Sequence, residues 1–266
     1  MTSAHLLSIA VVLFPHIYKN NRKAITMSHK LSIIVVVLNE ASQITRLKRA
    51  IDAQTRIDDV SIETILIDGG SKDNTPEIAK AAGFSKVIIQ PGASIPGCRN
   101  RGLHEASGDW IAFLDGDCEP SPHWLDSALS FLRAHKALII GWPVEPSASA
   151  SWIPKAWHFH WTHKNLPMVL HQGCPVILEE AYRLITTRNM LLTREVIEKT
   201  GPFREDLETG EDTDFVFRAY SRGISVIGAP MLRVIHHGEP SSLSSFFRQQ
   251  LWHSNRRAYK AIFSSS

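Results

Sequence analysis

Trp110-Ile111-Ala112-Phe113-Leu114-Asp115-Gly116-Asp117 is the stretch that decides how this chain folds. Its five apolar residues read as a buried strand, and two acids follow at the strand's carboxyl end. Side chains one residue apart on an extended segment point to opposite faces, but the glycine between them lets the backbone turn so that both carboxylates converge. Close carboxylates repel unless a cation or hydrogen-bond donors compensate them. The triplet is therefore a candidate site for a divalent cation and a diphosphate, because Mg²⁺ and Mn²⁺ accept oxygens from protein and phosphate together. The alternative is a polar turn after a strand, and for an isolated Asp-x-Asp it is the better one.

Upstream, residues 31–38 form an apolar run, followed by Ile44, Leu47 and Ile51 at helical spacing. A second strand over residues 64–67 ends at Asp68-Gly69-Gly70-Ser71. The next helix is expected to be capped by Thr75, with Pro76 in its first turn and Gly83 at its stop. A third strand over residues 86–89, a loop holding Pro91, Gly92, Pro96 and Gly97, and a short helix over residues 99–106 lead into the strand before Asp115. This alternation of apolar strands and helices predicts an α/β fold with a Rossmann-like, mostly parallel central sheet flanked by helices. Ligands of such sheets bind outside the carboxyl ends of the strands, where Asn39, Glu40, Asp68, Asp115 and Asp117 would share one rim.

The chain has 266 residues, 44% of them apolar, enough for one large α/β domain with an ample core. A formal charge of only +3 gives no general nucleic-acid footprint. Cys98, Cys118 and Cys174 make no paired or CxxC pattern; their odd number favours a reducing compartment, and they read as packing residues. The apolar run over residues 6–14 is far below the roughly 20 residues that span a bilayer, and it lacks the charged n-region and cleavage site of a signal peptide. Residues 1–27 are expected to be a poorly defined extension, with Met27 a more natural start. After the first strand Leu38-Asn39-Glu40-Ala41-Ser42 has no glycine, which excludes the GxGxxG dinucleotide fingerprint, and no GxxxxGK[ST] loop is present. Pro120 stands where an EF-hand loop requires glycine.

Taken in order, Val36-Val37-Leu38-Asn39-Glu40, the run Asp68 to Thr75, Arg99-Asn100 and Asp115-Gly116-Asp117 resemble the nucleotide-sugar half of a family 2 glycosyltransferase of the GT-A fold. The resemblance continues through Thr187-Arg188-Asn189-Met190, similar to a stretch near the acceptor, and Gly210-Glu211-Asp212-Thr213-Asp214-Phe215 with Arg218, similar to the catalytic-base motif. It implies a single catalytic domain over residues 28–240, with a nucleotide-sugar half (28–140) and an acceptor half (141–240). It also implies metal-dependent, inverting transfer of a sugar from a nucleotide-diphosphate sugar, UDP-sugars first among them, to an acceptor hydroxyl on a saccharide, lipid or small molecule.

Carried over by position, Asn39, Glu40, Asp68, Arg99 and Asp115 would contact the donor. Gly69 stands where the family often has a second acid, and Val36 replaces a frequent proline. Asp117 and His236 would hold Mn²⁺ or Mg²⁺, the latter as the histidine that follows the last core strand. Asp212 would be the general base, with Glu211, Asp214 and His237 as secondary candidates. By spacing alone the acids after Gly210 could equally cap a helix, since carboxylates are stabilised at helix N-termini whether or not they catalyse.

Between the halves, Trp152, Trp157, His158, His160, Trp161, His163 and His171 crowd a segment that matches no zinc pattern and that, in the family, shapes the acceptor pocket. The last residues, 241–266, read as a basic amphipathic helix: Leu243, Phe246, Phe247 and Leu251 recur at helical spacing among Arg248, Arg256, Arg257 and Lys260, without one acid. A cytoplasmic protein with peripheral membrane contact is expected, the plain alternative being packing on the catalytic domain. Two other functional classes share these acids: a nucleotidyltransferase, which would need a glycine-rich, basic loop after its first strand, and a non-catalytic module that binds nucleotide-sugars.

Overall fold

The computed structural model describes residues 29–54, 59–165, 184–240 and 242–253. The expected extension over residues 1–27, His171 and Cys174, and the basic residues Arg256, Arg257 and Lys260 lie outside the described residues.

The predicted alternation is present. It runs β1 (His29–Val37), α1 (Ile44–Asp52), β2 (Val60–Asp68), α2 (Thr75–Ala81), β3 (Lys86–Ile89), α3 (Ile95–Glu105) and β4 (Trp110–Asp115). A short β5 (Cys118–Pro120), α4 (Trp124–Ala134), β6 (Leu138–Gly141), β7 (Glu145–Pro146) and α5 (Trp152–Asn165) follow. The chain then forms β8 (Met190–Thr193), α6 (Arg194–Thr200), α7 (Glu211–Ser221), β9 (Ser225–Gly228), β10 (Val234–His236) and α8 (Leu243–His253).

Seven strands make one sheet in the order β3-β2-β1-β4-β8-β6-β9, in which β8 alone runs against its neighbours. Residue 140, the expected boundary between halves, falls inside β6, so one sheet carries both. Strand side chains alternate between two cores. On one face Leu31, Ile33, Val35, Ala112 and Leu114 pack with α1 and α4; on the other Ile34, Ile111 and Phe113 meet α3, α6 and α7. Both faces are covered, which is why residues 33–37 of β1 and 110–114 of β4 are apolar without interruption.

Register levels the rim. Val37 of β1 lies opposite Asp68 of β2, and Val36 lies opposite Asp115 of β4, so the acids end their strands side by side. Several boundaries differ from expectation. The second strand starts at Val60 rather than residue 64, because its polar first residues still pair with β1. Helix α3 begins at Ile95, four residues before the expected start: Ser94 caps it by accepting the Gly97 N–H at 3.2 Å, and Pro96 sits in the first turn, where its missing N–H costs nothing. Asn74, not Thr75, occupies the N-cap of α2, while Gly83 does follow that helix in the left-handed conformation at φ 86°. The histidine-bearing β10 belongs to a separate three-stranded sheet, β5-β10-β7, and not to the core sheet.

Candidate active site

The loop after β2 is tied to the loop after β1 by polar side chains. Asp68 is fully buried; one carboxylate oxygen accepts the Gly70 and Ser71 N–H groups at 2.8 and 2.7 Å, and the other accepts the Ser71 hydroxyl at 2.5 Å. Asn39, at φ 60°, accepts the Lys72 N–H through Oδ1 at 2.8 Å and donates its own N–H to Ser71 Oγ at 2.7 Å. Thr75 Oγ1 accepts the Glu40 N–H at 2.8 Å, which is how the hydroxyl is used in place of a helix cap. Asp68 thus organises the rim from beneath, while Asn39 and Glu40 stand at its surface.

Glu40, Asp115 and Asp117 form an acidic cluster. Burial, then Asp117 and Asp115, raise the Glu40 carboxyl to about 7. Burial also raises Asp115, against the opposing pull of Arg99. Asp117 goes the other way: burial would raise it, but the hydrogen bond from His236 holds it below the ordinary carboxylate range.

The contacts that hold Asp117 come from the strand and turn at Val234–His236 and beyond. His236 Nε2 lies 3.1 Å from Asp117 Oδ2, and the Asp117 carbonyl accepts the His237 N–H at 3.0 Å. Gly238 abuts the Asp117 carboxylate so closely that a Cβ there would overlap Oδ2. The other imidazole nitrogen of His236, Nδ1, lies 2.9 Å from Glu239 Oε1, and Arg188 stands 3.7 Å from that same oxygen. Burial alone would lower the imidazole's pKa, but Asp117 and Glu239 outweigh it and raise it to about 9. His237 turns to the opposite side, with Nε2 2.7 Å from Glu119 Oε2, and fastens β10 to β5.

Asp117, Cys118 and His236 offer ligand atoms that all lie within 4.8 Å of one another. The Asp117 carboxylate suits Mn²⁺ or Mg²⁺, the His236 imidazole favours the transition metal Mn²⁺ of the two, and a two-ligand protein set leaves coordination positions for phosphate oxygens. Cys118 does not fit a hard cation, and its Sγ donates to the Arg188 carbonyl at 3.5 Å.

The acids after Gly210 take three different roles. Glu211 is buried in an ion pair with Arg99, whose guanidinium lies 5.8 Å from the centre of the Phe203 ring. Asp214 is buried against Arg218 at 2.7 Å, and Arg218 also donates to the carbonyls of Thr200 and Pro202, so this acid locks α7 to the turn before it. Asp212 accepts the Thr213 N–H at 2.7 Å, and among the described residues no basic side chain pairs with it.

The expected site residues therefore separate into a metal-like pair, an acidic rim and a buried bridge. Arg99 and Glu211 link α3 to α7, and Asp68 and Asp214 are engaged beneath the surface. Sequence reasoning missed Glu239, Arg188 and Gly238. Nothing local marks Glu239 as a partner, because the burial that brings it to His236 Nδ1 is not visible in the sequence. Asn189, in the stretch compared with an acceptor region, is fully buried: it donates to the carbonyls of Trp142 and Leu232 and accepts the Trp124 indole N–H, which makes it a fold latch.

The chain matches the profile described as glycosyl transferase family 2 over residues 32–201. It is 27% identical over 246 residues to glycosyltransferase AglE of Haloferax volcanii, covering 87% of this chain and 77% of that protein. It is also 27% identical to the putative glycosyltransferase EpsH of Bacillus subtilis over 86% of this chain and 67% of the relative. In fold it is similar to the mannosyltransferase PcManGT of Pyrobaculum calidifontis, solved with GDP-Man and Mn²⁺, at TM-score 0.67 and 17% identity over 87% of this chain. It is similar too to S. aureus TarS 1-349 in complex with UDP-GlcNAc, at TM-score 0.63 and 17% identity over 81% of this chain. The chain spans 64% and 60% of those two solved chains. With a sheet of the GT-A type, the acids level at its rim and the profile matching well over half of its length, the chain belongs to glycosyl transferase family 2 and is a glycosyltransferase.

Proposed function

We propose that this protein moves a sugar with inversion from a nucleoside-diphosphate sugar, a UDP-sugar first among the candidates, to an acceptor hydroxyl, using a divalent cation held by Asp117 and His236. The observation that carries this is the pairing of Asp117 Oδ2 with His236 Nε2 at 3.1 Å beside the carboxyl edge of the sheet. A cation bound there would offset the negative charge that develops on the departing diphosphate. Asp115 lies beside that pair and would face the ribose, with Glu40 and Asn39 completing the donor rim. Asp68 would act through the loop it holds. Arg99, already paired with Glu211, would sit behind the diphosphate and fix the helix that presents the next acid.

Asp212 would take the proton of the acceptor hydroxyl. The oxygen then attacks the anomeric carbon, the bond from that carbon to the phosphate oxygen breaks, and its electron pair leaves with the nucleoside diphosphate. A single base on the acceptor side suffices for such a one-step displacement. Asp212 suits the role because, among the described residues, no basic side chain pairs with it, unlike Glu211 and Asp214. Residues 28–240 would form the catalytic domain and 241–266 a membrane-contacting helix. Among the described residues no helix is long and apolar enough to cross a membrane, so any such contact would be peripheral.

Turnover and equilibrium binding with a panel of UDP-, GDP- and dTDP-sugars, each with Mn²⁺ and with a chelator, test the reading. Metal-dependent hydrolysis or transfer from one donor is expected. Absence of both turnover and binding across the panel would leave a non-catalytic module.

A further inference from the structure

Two helices gather the exposed apolar surface of this molecule. Trp152, Trp157 and Phe159 of α5 and Leu243, Phe247 and Leu251 of α8 are six of the exposed large hydrophobic residues, and the other five are scattered over the rest of the described chain. The helices touch: the Trp157 and Phe246 rings meet edge to face at 5.3 Å between centroids. On α8, Leu243, Phe247 and Leu251 follow one another every four residues and form a stripe; on α5, Trp152 and Phe159 are two turns apart and share a face. Trp152 and Phe247 are 68% and 61% exposed, too open for the packing that the helical spacing of residues 243–251 would otherwise suggest.

Charge on this pair is one-sided. Neither WIPKAWHFHWTHKN nor LSSFFRQQLWH contains an acid, in a chain with 26 of them, while Lys155, Lys164 and Arg248 lie on the two helices. Aromatic and leucine side chains on one face of helices that carry basic residues and no acid of their own are the composition of an element that lies in the headgroup region of an anionic bilayer; the acid next to them, Glu145 of β7, is held by Arg233. A second copy of the chain would bring like charges together, whereas the headgroups of an anionic bilayer complement them.

The place of this surface in the fold gives it meaning. Helix α5 packs against β7, β7 pairs with β10, and β10 ends at His236. Helix α8 follows almost at once after Glu239. We infer that α5 and α8 together form a docking face for an anionic lipid bilayer, and that the acceptor hydroxyl reaches the site on a lipid-anchored molecule. The second clause rests on the glycosyl-transfer reading above; the docking face does not.

The full chain is mixed with vesicles of phosphatidylcholine alone or with phosphatidylglycerol and sedimented, alongside the variants Trp152→Ser/Phe247→Ser and Arg248→Glu. Wild type is expected to sediment with the anionic vesicles and far less with the neutral ones. Both variants should lose roughly tenfold or more of that binding, through lost insertion in one and lost attraction in the other. Circular dichroism should show both folded, which the exposure of the altered side chains favours. Equal partitioning of wild type and variants overturns the docking face. So does a concentration-dependent wild-type dimer that Trp152→Ser/Phe247→Ser converts to monomer, since a second copy would then be the occupant. Donor hydrolysis without vesicles should be unchanged in Arg248→Glu. A wild type that binds vesicles but turns over no donor sinks the glycosyl-transfer reading alone, and one that turns over donor but ignores vesicles sinks this one alone.

Discussion

Asp212 and Glu211 are neighbouring carboxylates with opposite surroundings, and that contrast separates a group able to accept a proton from one that positions a helix. Burial raises the Glu211 carboxyl, with the Arg99 guanidinium opposing it, and the pair is shut between α3 and α7. Asp212→Asn should therefore lower kcat by about 10²–10⁴-fold while leaving the donor Kd nearly unchanged, as loss of a general base does. Titration calorimetry with the donor and Mn²⁺ checks this, and a folded Asp212→Asn protein that no longer binds donor would count against a base. Asp117→Ala should do the reverse and abolish the metal-dependent part of donor binding. Glu239 acts one step further out. By accepting the Nδ1–H of His236 it leaves Nε2 as the nitrogen facing Asp117. Glu239→Gln keeps the shape but weakens that orientation, so Mn²⁺ affinity, followed by electron paramagnetic resonance without donor, should fall by about 10–100-fold. An unchanged affinity would reduce Glu239 to a surface acid that happens to meet a histidine.

Helix α3 shows how tightly one element can be committed to a strand. A Cβ on Gly102 would overlap Ile34 Cγ2, and Ile34 belongs to the central strand β1 and cannot withdraw without moving its own neighbours. Alanine would add at most about 1 kcal/mol of helix propensity, whereas overpacking of this kind costs about 1–3 kcal/mol. Gly102→Ala should therefore lower the unfolding free energy in urea despite being a better helix former, and a gain in stability would mean that α3 slides freely on the sheet. The same element marks the limit of local reading. Its helical nature is visible in the sequence, but its start is hidden because Pro96 and Gly97 also suit a loop; only the Ser94 cap decides between the two. Strands β1 and β4 are legible because burial on both faces leaves residues 33–37 and 110–114 uniformly apolar. The two-residue β7 and the three-residue β10 are too short to carry any period, and what pairs them is contact with chain far away in sequence.

At the scale of the whole molecule, the order of elements up to β4 follows from the sequence, while the joining of α3 to α7 does not. Arg99 and Glu211 meet across 112 positions, and nothing local to either residue announces the other. The acids of the rim could be placed because strand ends are local, and His236 because a family resemblance pointed to it; its partner Glu239 needed coordinates. A second long-range network sits at the opposite end of β1 from the rim and should set the acid limit of stability. Glu63 of β2 accepts the Ser32 hydroxyl at 2.6 Å and the Ser107 N–H and hydroxyl at 2.7 and 2.9 Å, and it pairs with Lys30 at 2.8 Å, so one carboxylate ties β1, β2 and the turn before β4. Burial works against ionisation, but these donors prevail and lower the carboxyl to about 2. Because the folded-state pKa is below the unfolded one, the folded protein binds fewer protons between them. The stabilisation is thus complete above the unfolded value of 4.5 and is lost as pH falls through the folded value of about 2. Glu63→Gln should cost on the order of 2 kcal/mol near neutral pH, and the gap to wild type should narrow as urea unfolding is repeated from about pH 7 down to about pH 3. A gap that stays constant across that range would mean that the network stabilises by shape and hydrogen bonding alone, with no contribution from the charge on Glu63.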